Sequence, residues 1–177
     1  MRVKRSRPIF VRRAPGDPSK ALVALGHGVR PAALGRTGIR ALKREGDGGT
    51  PLGRFPVRQV LYRADRMARP RTRLPVRAIR DHDGWCDDPT SRSYNKLVKL
   101  PSRRSAEGLK RADHLYDLVL VLGYNDLPRV RGRGSAIFVH LARPGFTPTD
   151  GCIALSHHDM QMLLAQVKRG TQIVILR

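Results

Sequence analysis

The sequence predicts a mainly β fold, a β-sandwich or partial barrel carrying one or two helices, on three observations. Short apolar runs recur along the chain, turn-forming residues stand between them, and only one stretch combines sustained helical spacing with a capping signal. At 177 residues the chain can bury a sizeable core, and a single domain over 1–177 is expected.

The expected strands, in chain order, are Ile9–Arg12, Ala21–Leu25, Phe55–Tyr62, Val76–Ile79, Asp117–Leu122, Ala136–Leu141 and Gln172–Leu176. Turn signals separate them, among them Ala14-Pro15-Gly16-Asp17, Gly46-Asp47-Gly48-Gly49 and Asp81-His82-Asp83-Gly84. This spacing favours antiparallel pairing. The runs YDLVLVLGY and SAIFVHL are apolar throughout, which marks central strands buried on both faces.

The clear helix starts at Ser156, where the S-x-x-D pattern with Asp159 satisfies free N–H groups of a first turn. Met160, Leu163, Leu164 and Val167 follow at helical spacing. Lys168 and Arg169 are placed in the last turn, and Gly170 ends it. A shorter helix is expected around Ser105–Arg111.

The formal net charge is +21, from 35 Lys and Arg against 14 Asp and Glu. Such a balance attracts polyanions, whether nucleic acid, an anionic membrane surface or a wall polymer. The basic residues are spread along the chain, and aromatics are only 5%, too few for a base-stacking platform. No nucleic-acid partner is therefore expected, although a basic nucleic-acid-binding protein is the alternative from another functional class. No apolar run approaches the ~20 residues that span a bilayer. The start, MRVKRSRPIFVRRAPGD, is broken by arginines and a proline and reads as a poor signal peptide.

Two cysteines, Cys86 and Cys152, allow at most one disulfide and form no CxxC pair. Cys152 follows Gly151 and lies in a loop after His140, which ends an apolar run. A thiol attacks as thiolate, and a nearby imidazole can hold its proton. A cleft would also need backbone amides facing the reacting carbonyl. The composition of this stretch fits such a site, but a lone His and a lone Cys in a β-rich domain are more often core packing, with the thiol a small buried hydrophobe beside a glycine.

Two blocks of sequence decide between them. "AIFVHLA" with "TPTDGCIALS", and upstream "KREGDGGTPLGRFPV", resemble the L,D-transpeptidase catalytic domain (YkuD-like) family over residues 43 to about 177. The stretches "DGWCDDP" and "YNKLVKLP" further resemble a single-domain proteobacterial branch. The resemblance implies a β-sandwich fold and an enzyme acting on peptidoglycan stem peptides, with no metal or other cofactor and as a monomer. It implies that Cys152 forms a thioester with the donor peptide and that His140 is its base. The carbonyl of Leu141 would fix the imidazole tautomer, and the Gly151 amide, with that of Cys152, would hold the oxyanion. Some members of that branch join L-alanine to diaminopimelate. Hydrolysis by the same Cys/His pair, as an L,D-carboxypeptidase or endopeptidase, is the nearest alternative. The substrate class implies the periplasm; the absence of an apolar leader keeps the cytoplasm open.

The chain departs from the family pattern at Asp150, where the family often has His, and at Ala154, where it often has Arg. Arg143 is the candidate replacement for that charge, able to bind a carboxylate through its planar fork. Trp85, Tyr94, Asn95 and Tyr124 are expected to line the substrate groove. The glycines and Asp47 of the upstream block read as a tight turn, not a phosphate cradle. The acidic loop Asp81–Asp88 matches no standard metal-ligand spacing and is expected to face the amino group of an acceptor.

Overall fold

The computed structural model describes residues 6–177; the basic segment through Arg5 lies outside the described residues. Fourteen strands and one α-helix are present among them. The strands are β1 (Ile9–Arg13), β2 (Lys20–Leu25), β3 (Gly28–Ala33), β4 (Ile39–Arg40), β5 (Thr50–Pro51), β6 (Gly53–Tyr62) and β7 (Val76–Ala78). Then come β8 (Asp83–Cys86), β9 (Leu97–Lys99), β10 (Ala106–Gly108), β11 (Leu118–Leu122), β12 (Phe138–Leu141) and β13 (Ile153–Leu155). Helix α1 (His157–Gln166) and β14 (Gln172–Leu176) complete the chain.

The main sheet runs β11-β12-β13-β3-β2-β1-β14-β6-β7, and β6 also pairs with β11. That second pairing closes the sheet into a barrel, which removes exposed edges that would otherwise template association. The mainly β, partial-barrel class expected from the sequence is the one observed. Pairing is mixed, however, where antiparallel was expected: β1–β14, β6–β7 and β12–β13 are all parallel. The long connections between these pairs permit the crossovers that parallel strands need.

Strand alternation divides the core. Leu118, Leu120 and Leu122 of β11 and Val139 and Leu141 of β12 pack with Met160, Leu163 and Leu164 of α1. Val119, Val121 and Phe138 face the other way, onto Trp85, Tyr116 and Cys152. β11 and β12 are buried along their whole length, as their unbroken apolar runs predict.

The helix begins as the sequence indicates. Ser156 Oγ accepts from Asp159 N at 3.1 Å and donates to Asp159 Oδ2 at 2.6 Å. It ends earlier than expected, because Val167 is extended (φ −82°, ψ 148°) and Thr171 Oγ1 takes the Lys168 N–H at 3.0 Å. Lys168 and Arg169 therefore lie beyond the last turn, in the connection to β14.

Where a helix is expected over Ser105–Arg111, Ala106–Gly108 form strand β10 and the flanking residues are irregular. The strand pairs with β8 through Ala106↔Cys86 and Glu107↔Trp85, a tertiary ladder that outweighs weak local propensity. The Asp81–Gly84 turn is shorter than expected, since Asp83 already opens β8. Its carboxylate is fixed there by Arg77 at 2.7 and 2.8 Å.

Candidate active site

The parallel pairing of β12 with β13 places two residues distant in sequence side by side. The register is Val139↔Ile153 and His140↔Ala154, so Cys152 enters β13 beside Phe138. Phe138 N points at Cys152 Sγ (3.4 Å), and the thiol donates to the Ala136 carbonyl at 3.2 Å. Both cysteines are free. Among the described residues no hydrogen bond links Cys152 Sγ to His140, so at rest the thiol is parked on the Ala136 carbonyl.

His140 Nδ1 lies 2.8 Å from the Leu141 carbonyl oxygen. A carbonyl only accepts, so Nδ1 carries the proton and Nε2 keeps its lone pair. Burial holds the imidazole down, to about 4, against the raising effect of the Leu141 carbonyl. Burial pushes the Cys152 thiol up to about 12, opposed by the Phe138 N–H, while the Glu107 carboxylate pushes it further up and Lys43 draws it down. The pair is therefore neutral at pH 7. Alkylation of Cys152 by iodoacetamide in the free protein should be slow at pH 7 and still climbing above pH 10, as thiolate forms. A labelling rate that levels off below pH 8 would show a preformed ion pair instead.

The two shifts also set a stability profile. His140 binds a proton less readily folded than unfolded, so its contribution is present above pH 6.5 and is lost as pH falls toward 4. Cys152 holds its proton more tightly folded than unfolded, so its contribution is present below pH 9 and is lost as pH rises toward 12.

Both side chains open on one cleft of about 470 Å³, which His140, Arg143, Asp150, Cys152 and Ala154 help to line. Arg143 is half exposed, with one long contact to Asp113 at 3.6 Å. Asp150 is largely exposed and ion-paired with Arg36. Ala154 is buried to 2%, paired in register with Ala33 at the floor of the cleft, so no side-chain charge is presented there.

The upstream block is bound directly to the cysteine loop. Gly151 sits at φ +139°, where a Cβ would stand 2.7 Å from the Gly49 carbonyl oxygen. Asp47 makes the turn that brings Gly49 there, accepting from Arg44 N (2.7 Å), Gly49 N (2.8 Å) and buried Lys43 Nζ (2.6 Å). These bonds hold its carboxyl below the usual range despite burial. The reading of this block as a tight turn agrees with that geometry. At rest the Gly151 amide is not free: it donates to Thr149 Oγ1 at 3.1 Å.

Four residues expected in the groove stand behind its wall instead. Trp85 is buried, edge-on to Phe138 at 5.1 Å, and its Nε1 donates to Asn95 Oδ1 at 2.9 Å. Asn95 also takes the Ala136 N–H (3.1 Å) and donates to the Tyr124 and Asn125 carbonyls (both 2.9 Å). Tyr94 receives the Gly134 N–H at 2.9 Å and donates to Glu45. Tyr124 donates to the Arg133 carbonyl and packs edge-on against Phe55. Together they frame residues 133–136, the segment whose Ala136, at φ +52°, presents the thiol's acceptor. Aromatic and amide residues near strand ends read as groove residues in sequence; burial and saturated hydrogen bonds make them framework here.

Sequence reasoning missed Glu107, Arg111, Leu115 and Tyr116, which also line the cleft. Asp87, at the end of the acidic loop, lines it as well, with one fully buried oxygen lacking a partner among the described residues. The rest of that loop is engaged elsewhere: Asp81 with Lys110, Asp83 with Arg77, Asp88 with Thr90. Glu107 and Arg111 fall in the stretch expected to be helical, and it is the pairing of β10 with β8 that carries Glu107 to the cleft.

A protein-family model for the L,D-transpeptidase catalytic domain (YkuD) matches residues 18–175, nearly the whole chain. The chain belongs to this family. A search of curated proteins and one of solved structures returned no match. The YkuD match runs from just before β2 into β14, so it takes in both the upstream turn and the Cys152 loop. No helix among the described residues is long and apolar enough to cross a membrane.

Proposed function

We propose that this YkuD-family protein is a peptidoglycan L,D-transpeptidase working through a cysteine thioester. The observation that carries the reading is the placement of a buried thiol and an imidazole with a free Nε2 on adjacent parallel strands, opening on one cleft. Sγ leaves the Ala136 carbonyl and attacks the L,D carbonyl of a donor stem peptide while Nε2 takes the thiol proton. The C–N bond to the terminal residue breaks, and the imidazolium returns the proton to the departing amine. An acceptor amine then attacks the thioester, deprotonated in turn by Nε2, and releases the thiol.

The oxyanion needs backbone donors. The Cys152 amide serves this role with that of Gly151, which must exchange Thr149 Oγ1 for the substrate oxygen. Arg143 and Asp87 present opposite charges to the same cleft, suited to a substrate carrying both carboxylate and ammonium. The Asp87 carboxylate is the part of the acidic loop that would meet an acceptor amine, of the L-alanine-to-diaminopimelate type or the more usual one. The protein is proposed to act as a single catalytic domain, monomeric, on wall material in the periplasm.

Incubation with defined muropeptides followed by mass analysis of the products tests this. Cross-linked dimers with loss of a terminal residue are expected. Trimmed or cleaved monomers alone would reassign the protein to hydrolysis by the same pair, and an unchanged substrate would overturn the reading.

A further inference from the structure

Among the described residues, the one hydrogen bond to the His140 ring runs from Nδ1 to the Leu141 carbonyl, and the aromatic ring packed against the imidazole is that of Tyr116. The Tyr116 ring meets the imidazole edge-on, with centroids 5.3 Å apart and planes at 67°. On another edge it meets Phe138 at 5.9 Å, which in turn meets Trp85 at 5.1 Å. Phe138 and His140 are two residues apart on β12 and so share a face. The result is a continuous aromatic row, Trp85–Phe138–Tyr116–His140, ending at the candidate base.

Tyr116 itself is clamped from the cleft side. Its hydroxyl donates to Glu107 Oε1 at 2.8 Å, and the Arg111 guanidinium lies 5.1 Å from its ring centroid. Arg111 is fixed in turn by Asp113, at 2.9 and 2.8 Å, and touches Glu107 at 3.3 Å. A ring held by a carboxylate, a guanidinium and Phe138 has little freedom to turn. A single bond at Nδ1 leaves the imidazole free to rock about that contact and turn Nε2 away from the cleft it shares with Cys152. The buttress closes that motion.

We propose that Tyr116 is a positioning residue for His140: its ring, clamped by Glu107 and Arg111, keeps Nε2 directed at the cleft. This rests on the transpeptidase reading of the site above. It assigns no bond to substrate; Tyr116 acts through the imidazole alone. The contribution is geometric preorganisation, for which a displacement of about 1 Å costs on the order of 10²-fold in rate.

The test compares wild type with Tyr116→Leu, Tyr116→Met and Tyr116→Phe, measuring muropeptide kcat, KM and the acid limb of kcat against pH. Reactive sites are counted by the mass of the carbapenem adduct, so that rates refer to folded, labelled protein. Tyr116→Leu should lower kcat about 10- to 100-fold with KM within about threefold. Its acid limb should move to higher pH, because a less enclosed imidazole is easier to protonate. The charged groups that act on His140, namely Arg111, Asp113 and Arg143, are unchanged in sequence in every variant, and Arg111 keeps its two bonds to Asp113 when the Tyr116 ring is lost.

Tyr116→Phe gives up the Glu107 bond but keeps the ring with its Arg111 and Phe138 contacts, and should restore most of kcat and the wild-type limb. Tyr116→Met preserves volume, and supplies the same comparison if Tyr116→Leu fails to fold. Wild-type kcat in the Leu or Met variant would overturn the proposal, as would a fall in kcat with the acid limb unmoved. Tyr116→Phe as impaired as Tyr116→Leu would overturn it too, since the ring would then not be the element that matters. Failure of the transpeptidase reading itself looks different: wild type would neither turn over muropeptides nor take up the carbapenem.

Discussion

Cys152→Ala is expected to abolish muropeptide turnover, by roughly 10⁴-fold or more, while the protein remains folded. The expectation rests on there being no second group for the role. Cys86, the other thiol, lies on β8 and is buried to 1% against the core, and the Thr149 hydroxyl in the cleft is committed to the Cys152 carbonyl and the Gly151 amide. The substitution removes one sulfur atom from a site where the backbone is fixed by the β12–β13 ladder and the Gly49 contact. The Ala136 carbonyl loses a weak sulfur partner beside the cleft, where water can serve it, and the buried Phe138 N–H loses a long 3.4 Å contact, a modest cost to stability. His140→Ala should cost a similar factor, since a buried thiol held near 12 does not ionise by itself at pH 7. The double variant should be little worse than either single one, because the two groups act as a unit. The measurements are initial rates on defined muropeptides, thermal unfolding, and intact mass after carbapenem treatment. Sustained turnover by Cys152→Ala would remove the thioester mechanism. A wild-type protein labelled at Cys86 and not at Cys152 would move the site elsewhere.

The barrel strands that the sequence reveals are those that carry their own signal. β11 and β12 announce themselves by unbroken apolar runs, and α1 by the Ser156/Asp159 cap with Met160, Leu163 and Leu164 at helical spacing. β3, with Gly28, Arg30 and Pro31, and the three-residue β13 carry almost none. They are strands because their neighbours supply a ladder: β2 for β3 over six residue pairs, β12 for β13 over three. β10 shows the same cause in its sharpest form, since Glu107 and Arg111 look helical in isolation. Long-range pairing of this kind has no local signature for periodicity to detect.

The candidate site divides along the same line. Cys152, His140 and the upstream turn are adjacent in the fold because a strand pairing and a glycine contact join them, and the two sequence blocks carry both partners. The Leu141 carbonyl follows from His140 directly. What the sequence does not carry is which face each aromatic takes. Trp85, Tyr94, Asn95 and Tyr124 have the chemistry of groove residues, yet their donors and acceptors are consumed in framing Ala136. Tyr116 looks like one more apolar residue at the head of a strand, and its relation to His140 depends on a pairing between β11 and β12. The charges are similar. Asp150 is taken up by Arg36, whereas Glu107 and Asp87, undistinguished in sequence, face the thiol's cleft.

Gly151→Ala is expected to impair both stability and catalysis, and to do so through the upstream turn. At φ +139° the residue occupies a region that an L side chain enters only under strain, of order 1–3 kcal/mol for the dihedral alone. The added Cβ would also meet the Gly49 carbonyl oxygen at 2.7 Å and Ile137 Cδ1 at 3.3 Å. The first of these is backbone, and it is not free to withdraw. Gly49 N is tied to Asp47, Gly35 N to Thr50 Oγ1 at 2.8 Å, and a Cβ on Gly35 would itself strike Gly48. The loop carrying Cys152 must therefore move instead. Movement there shifts Sγ relative to Nε2, so turnover should fall about 10²-fold or more even in the fraction that remains folded. Gly49→Ala separates the two effects. Its Cβ would strike Arg40 Cγ and Cβ and come within 3.1 Å of Thr37 Oγ1, so Arg40 must change rotamer and the strain falls on the upstream turn, not on the cysteine loop. It should lower stability but cost less in turnover than Gly151→Ala. Thermal unfolding together with kcat per carbapenem-labelled site measures both. A Gly151→Ala protein with wild-type melting and wild-type kcat would show that the contact between the two blocks does not hold the thiol in place.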